Sequence, residues 1–352
     1  MIPFVHLHVH SQYSILDGQA AVKDLVDKAI SNGMRGMALT DHGTMYGIKE
    51  LHDYVGKKNS AANGEIKELG KQLEELEVNG GDAQAIEEVK SRLGEARSKL
   101  FKPIFGCEVY VANGSQSDRS DKNDRGRHLI LLAKNEKGYH NLVKIVSNAW
   151  TDGLHYHPRT DKEHLEKYHE GLIVCSACLG GEVPRLIMQG NIDGAREVVK
   201  WFHNIWGDDY YLELQRHKAT APRANHETYP HQMEVNKVLM EFAKELGIKV
   251  VCTNDSHFVN EDDADAHERL ICLSTGKRIT DNDIMLYSKQ EWFKTQEEMN
   301  EVFADVPEAL ASTTEILDKV EFYSINHKPI LPDFPLPEGF TNEDDYLRHL
   351  VY

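Results

Sequence analysis

No stretch of this sequence stays apolar for the roughly 20 residues a membrane-crossing helix needs. The opening, Met1-Ile-Pro-Phe-Val-His6, also lacks the basic and apolar blocks of a secretion signal. Only 5 of the 352 residues are cysteine, an odd number without dense spacing. That excludes a small disulfide-stapled fold and predicts a reducing, cytoplasmic setting with thiols left free for metals. Basic residues are short as well: 40 Lys+Arg face 57 Asp+Glu, a formal net charge of -17. The balance excludes a protein that grips nucleic acid through overall positive charge, so any such contact must be local. Histidine, by contrast, is plentiful, with 19 copies. Imidazole is the commonest metal ligand, so the placement of these residues matters.

Short apolar runs alternate with helical patterns along the chain. Strands are predicted at Phe4–His10, Gly36–Thr40, Pro103–Val111, His128–Ala133, Gly171–Cys175, Tyr210–Leu214 and Lys249–Thr253. Helices fall between them, including Val22–Asn32, Tyr139–Trp150, Ile192–Trp206 and His231–Leu246. Such alternation predicts an α/β fold with a largely parallel sheet, open or closed into a barrel, whose ligands sit at the C-terminal strand ends. One insertion, at about 60–101, departs from the alternation. Ile66, Leu69, Leu73 and Leu76, then Ile86, Val89, Leu93, Ala96 and Leu100, repeat at helical spacing on either side of Asn79-Gly-Gly-Asp82. This predicts an antiparallel αα-hairpin arm. From residue 326 the texture changes: Pro329, Pro332, Pro335 and Pro337 mark an extended connector, followed by a helix at Glu343–Val351. The expected division is a barrel over 1–325 and a connector over 326–352. The late helix, cut at the last residues, reads as the start of something longer.

The chemistry concentrates at predicted strand ends. His6, His8 and His10 alternate with Val5, Leu7 and Val9, which in a strand puts the imidazoles on one face. Aliphatic packing does not explain them, and the His8-Val-His10 pair reads as metal ligands. Asp17 follows in a Ser14-Ile-Leu-Asp-Gly turn, and Asp41-His42 closes the next apolar run. Glu108 sits inside an apolar strand, where a carboxylate is costly unless paired or metal-bound. Cys178, Asp255 and His257 follow later strands; His128 begins its run and so fits this rule less well. Arg127 and Arg159 are candidates for phosphate contact because guanidinium matches phosphate oxygens. His140, His155, His203, His226 and His267 read as exposed or helix-face residues. Imidazole, carboxylate and thiolate together suit Zn²⁺, with Mn²⁺ or Fe²⁺ as competitors. The donors outnumber what one tetrahedral ion uses, so a multinuclear centre is expected.

His8-Val-His10-Ser, Thr40-Asp-His42-Gly, Gly106-Cys-Glu108-Val-Tyr, Arg127-His128-Leu, Cys178-Leu-Gly-Gly and Asn254-Asp255-Ser-His257 resemble the successive motifs of the PHP (polymerase and histidinol phosphatase) family. Phe4-Val-His-Leu-His-Val-His-Ser, Lys102-Pro-Ile-Phe-Gly-Cys-Glu-Val-Tyr-Val, Tyr211-Leu-Glu-Leu-Gln and Leu331-Pro-Asp-Phe-Pro are similar to the branch found at the N-terminus of bacterial replicative DNA polymerases. The resemblance implies a distorted (β/α)7 TIM-like barrel with three divalent metal ions. It places one ion on His8, His10, Glu108 and Asp255, a second on Glu108, His128 and Cys178, and a third on Asp17, His42 and His257. Glu108, Asp17 and His42 would then carry catalysis. The implied activity is metal-dependent 3′–5′ exonuclease proofreading on a single-stranded DNA 3′ end. The implied partners are other replisome subunits, for a fragment monomeric by itself and not at a membrane. A small-molecule phosphatase of the histidinol phosphatase type, or a metal-stabilised scaffold docking replication proteins, are the competing expectations.

Overall fold

The computed structural model describes residues 1–352. Its strands are β1 (Gly36–Leu39), β2 (Lys102–Val111), β3 (Arg127–Ala133), β4 (Leu154–His155), β5 (His157–Thr160), β6 (Leu172–Cys175), β7 (Tyr210–Leu214) and β8 (Lys249–Cys252). The wall runs β1-β2-β3-β6-β7-β8 through direct pairing of neighbours. The N-terminal segment closes it. Ala38 N donates to His6 O at 2.8 Å and Thr40 N to Val9 O at 2.9 Å on one side. On the other, His10 N donates to Ser256 O at 2.8 Å and Ser256 N to His8 O at 3.1 Å. Counting that segment, the wall is the distorted seven-membered α/β barrel expected from the motifs.

The N-terminal segment is nevertheless not a regular strand. Its acceptors His6 and Val9 are three residues apart where the donors on β1 are two apart, so one residue is extra, as in a bulge. Val9 N turns instead to the Thr40 hydroxyl at 2.8 Å. The bulge also corrects the alternation argument. His6 does not join His8 and His10; its Nε2 meets Lys294 O at 2.7 Å and its ring packs on Phe4 and Phe293.

A second distortion explains His128. β3 runs antiparallel to both β2 and β6, because residues 112–126 return the chain directly and no helix crosses over. The start of β3 therefore lies at the same end of the barrel as the C-terminal ends of its neighbours. Tyr110 pairs with His128 and Val111 with Arg127, which places His128 at the mouth after all.

The core is one continuous apolar cluster. β6 and β7 are buried on both faces; β6 is wholly apolar, and β7 is apolar apart from Glu213. The outer helices pack one stripe each: in Ile192–Trp206 the buried positions are Ala195, Val199, Phe202 and Trp206. Helices Ser60–Val78 and Ala83–Ser98 form the arm. Leu69, Val89, Leu93 and Ala96 give it a small core of its own. Its two ends are pinned together by Asn59, whose amide donates to Phe101 O at 2.8 Å and accepts from Phe101 N at 3.0 Å. After Val320, residues 321–340 carry no helix or strand until Glu343–Val351. The β4–β5 hairpin is an addition the sequence patterns did not reveal. Its strands are too short, and too rich in His and Pro, to show a period.

Candidate metal centre

At the mouth, every candidate ligand except Glu108, which lies inside β2, arrives from a strand end or a loop. His8 and His10 come from the N-terminal segment. Asp17 sits in the turn that follows, where Asp17 N and Gly18 N both donate to Ser14 O. A Cβ on Gly18 would lie 2.0 Å from Ser11 O, so only glycine permits this turn. His42 follows β1 and bridges to Glu108 on β2. Cys178 follows β6, while Asp255 and His257 follow β8. The backbone at Asp255 is left-handed, with φ 46. Asp tolerates that conformation better than most residues, and strain of this kind clusters at functional sites.

Glu108 is the hub. One oxygen lies 3.3 Å from His8 Nε2 and 2.8 Å from His128 Nδ1; the other lies 2.5 Å from His42 Nδ1 and 3.7 Å from His10 Nε2. Cys178 Sγ stands 3.5 Å from His128 Nδ1 and 3.8 Å from Glu108. Asp255 Oδ1 reaches His8 Nε2 at 3.1 Å and His10 Nε2 at 3.2 Å. Asp17 Oδ2 reaches His42 Nε2 at 2.7 Å and His257 Nε2 at 3.4 Å. All the ligand candidates singled out in the sequence thus meet in one pocket. His8, His10, Glu108 and His257 form its buried floor, and Asp17, His42, His128 and Asp255 face the opening.

The donor atoms are aimed as a metal requires. His8 Nδ1 is bonded to Glu213 at 2.7 Å, His10 Nδ1 to Ser14 Oγ at 3.0 Å and His257 Nδ1 to Asp255 O at 2.8 Å. With the outer nitrogen tied, each ring turns Nε2 inward, the tautomer logic of metal-binding histidine. His42 Nδ1, Glu108 Oε2, Asp255 Oδ1 and His257 Nε2 are buried without a well-directed hydrogen bond. Such atoms are normally rare, and here their near neighbours are other ligand candidates, as in the 2.5 Å approach of His42 Nδ1 to Glu108 Oε2. Three overlapping groups could each hold an ion: His8 with His10 and Glu108; His42 with Glu108 and His128; and His10 with His42 and His257. The residues fit divalent cations.

The electrostatics agree. Burial opposes charge on His8, yet Asp255, Glu213 and Glu108 outweigh it and hold its pKa well above the usual imidazole value. Burial likewise opposes charge on His257, but Asp17 and Asp255 push it up to about 9. His10 goes the other way, to about 3, because burial is joined by repulsion from His42 and His257. Against burial, His128, His42 and His8 hold Glu108 well below the carboxylate range. Protons on the imidazoles balance the carboxylates where cations would do so, and binding a cation would displace them.

Several supporting residues were not read from the sequence. Glu213 is the chief one: it also accepts from Ala177 N at 3.1 Å, Gln215 Nε2 at 3.1 Å and Thr253 Oγ1 at 2.5 Å. Its signal, a lone acid in an apolar strand, was the same one that marked Glu108. Asp41 proves structural, accepting from Ser11 N at 2.7 Å and Ser14 Oγ at 2.8 Å. Tyr287 OH donates to Asp17 Oδ1 at 2.8 Å, and His267, expected as an exposed or helix-face residue, lies on helix Ala264–Thr275 but is buried and bonded to Asp17 O at 2.9 Å.

The two arginines separate. Arg127 is half-buried beside His128, with no ion pair or hydrogen bond from its side chain. Arg159 is fully buried and cannot meet a phosphate. All its donors are spent on Gly153 O, Asp124 O, Asp124 Oδ2, Gln116 O and Asp118 O. It clamps the 112–126 return.

A closed α/β barrel gathering imidazole, carboxylate and thiol at its mouth defines a class of metal-binding barrels. The PHP domain profile matches residues 6–217, more than half of the chain, and the chain belongs to the PHP family. It is 39% identical over 352 residues to the DNA polymerase III subunit alpha of Borreliella burgdorferi, covering 99% of this chain and 26% of that protein. It is 35% identical to the corresponding subunit of Treponema pallidum, covering 99% of this chain and 26% of that one. The chain thus spans about a quarter of the length of these curated relatives. Among solved structures, an amidohydrolase from Chromobacterium violaceum is 14% identical at a TM-score of 0.35, covering 73% of this chain and 89% of that one, a remote likeness. No helix is long and apolar enough to cross a membrane.

Proposed function

We propose that this chain is a metal-dependent phosphodiesterase acting on the 3′ end of single-stranded DNA, a 3′–5′ exonuclease in the service of a replicative polymerase. The observation that carries it is the convergence of donor atoms from His8, His10, His42, Glu108, His128 and His257 in overlapping groups at a mouth open on one side. His8, His10, Glu108 and Asp255 would hold one ion; Glu108, His128 and Cys178 a second; Asp17, His42 and His257 a third. Zn²⁺ suits this donor set best, with Mn²⁺ and Fe²⁺ as competitors. Such ions lower the pKa of bound water and offset charge on the leaving oxygen. The chain's own residues do the rest. Glu108 sits between the His8–His10 and His42–His128 sides and can be shared by both. Asp17 and His42 border the opening, and Arg127 has a guanidinium free for a phosphate. Similarity to DNA polymerase III alpha subunits supports DNA and other replisome subunits as partners. Residues 1–325 would be the catalytic unit and 326–352 a connector.

The test joins metal analysis of the purified chain to nucleotide release from a labelled single strand, with histidinol phosphate as the competing substrate. Bound divalent metal and chelator-sensitive release from the 3′ end are expected. Phosphate release from histidinol phosphate alone, or nuclease activity indifferent to Asp17→Asn and His42→Ala, would sink the proposal.

A further inference from the structure

The rim of the metal centre continues outward as an aromatic wall. Tyr110 lies two residues beyond Glu108 on β2, on the same face of the strand. Its ring is 5.1 Å from that of His128 and 6.2 Å from that of His42. His157 stacks on it, centroids 4.4 Å apart and planes 15° apart. His157 belongs to the β4–β5 hairpin, where His155 pairs with His157 and Leu154 with Pro158. The single residue at the turn is Tyr156. It has φ 64, and its side chain is 60% exposed. Glycine would take that backbone without strain, and folding gains little from a ring left in water. The Arg125 guanidinium lies 5.1 Å above this ring.

Arg125 belongs to the 112–126 return, whose second half carries Arg119 and Lys122 and leads into Arg127 at the start of β3. Within residues 119–127 Asp124 is withdrawn from the balance by its 2.8 Å pair with buried Arg159, which leaves exposed Asp121 alone against the four basic side chains. Arg119 ties the return to the hairpin through Leu154 O at 3.1 Å and Asp152 O at 3.2 Å. In a chain of net charge -17 this is a local basic patch with an exposed aromatic in it, continuous with the metal centre through His157 and Tyr110.

We propose that Tyr156 and Arg125, backed by the His157–Tyr110 stack, form a stacking subsite for the bases of a single nucleic-acid strand whose phosphate lies at the metal centre. The proposal rests on the phosphodiesterase reading and specifies how the strand is held. An aromatic face with a guanidinium beside it receives any base by stacking while the positive charge follows the backbone.

The test compares a single-stranded oligodeoxynucleotide with an abasic strand of equal length. Hydrolysis is measured for the wild type, Tyr156→Ala, Tyr156→Phe and Arg125→Ala. Binding of uncleavable phosphorothioate versions is measured in parallel by fluorescence anisotropy at fixed low salt. Tyr156→Ala should raise KM and Kd for the base-bearing strand about tenfold more than for the abasic strand, with kcat little changed. Tyr156→Phe should restore both, and Arg125→Ala should weaken both strands. Equal losses on the two strands by Tyr156→Ala, or none on either, would overturn the subsite. A wild type that cleaves neither strand refutes the phosphodiesterase reading, and the anisotropy then decides the subsite by itself. Absence of any strand binding overturns it.

Discussion

Glu213 offers the sharpest test of how the centre is built, because it touches the metal pocket only through His8. Its Oε1 accepts from His8 Nδ1, Gln215 Nε2 and Thr253 Oγ1, and its Oε2 from Ala177 N. In Glu213→Gln the amide has one sensible orientation. Its carbonyl keeps the three donors, and its NH2 group faces Ala177 N–H. One charge-assisted hydrogen bond is lost, which costs the fold about 1.5–3 kcal/mol. His8 keeps its tautomer but leans on a neutral carbonyl. Metal affinity should therefore fall toward the low end of the range for outer partners, about tenfold, or about 1.4 kcal/mol. Glu213→Ala also frees the ring to turn, and the loss should approach about 100-fold. The assay is competition for the tightest-bound ion against a fluorescent chelator, with urea unfolding of the metal-free proteins alongside. Wild-type metal affinity in Glu213→Ala would refute the claim that this carboxylate orients a metal ligand, whatever happens to stability.

Two further outcomes follow from buried charges elsewhere. Arg159→Ala should destabilise the protein by about 3–5 kcal/mol in urea, because it strands Asp124 and several carbonyls without their partner; a raised KM with unchanged stability would show instead that the guanidinium meets substrate. Lys294 is almost wholly buried, and burial, reinforced by Lys28 and opposed by Glu291, Glu298 and Glu261, pushes its pKa from 10.5 down to about 7. The unfolded chain then binds more protons than the folded one above about pH 7, so stability should rise with pH from about 7 toward 10.5. Between pH 7 and 9 the gain is about 2–3 kcal/mol, and Lys294→Met, which should lack this component, would disprove the assignment if its stability rose just as steeply.

What could be read in the sequence was whatever depended on strand ends. His8, His10, His42, Asp255 and His257 are polar residues closing apolar runs, and a barrel brings all such ends to one mouth. The same rule counted against His128, because the direction of β3 is fixed by the return loop and not by any pattern within the strand. His6 failed for the opposite reason: a period of two assumes a regular ladder, and the bulge before Val9 breaks it. Arg159 shows the limit for single residues. A guanidinium is equally suited to a phosphate and to five backbone and carboxylate oxygens, and only the folded course of residues 112–126 decides between them. Glu213 could have been found, since an acid inside Tyr211-Leu-Glu-Leu is as costly as one inside Gly106-Cys-Glu-Val. The two acids differ in use, since the Glu213 carboxylate is spent on orienting His8.

The acid excess and the metal centre belong to different levels of the molecule. Much of the -17 charge lies on exposed side chains, such as those of the arm, which water and salt screen. The carboxylates at the mouth are buried among imidazoles and feel one another strongly. Overall charge therefore says little about whether a polyanion can approach this opening. The local sign matters, and along residues 119–127 it is set by Arg119, Lys122, Arg125 and Arg127 against Asp121, because Asp124 is already neutralised by Arg159. The buried arginine thus shapes the rim without reaching it, by removing a negative charge and holding the loop that carries the positive ones.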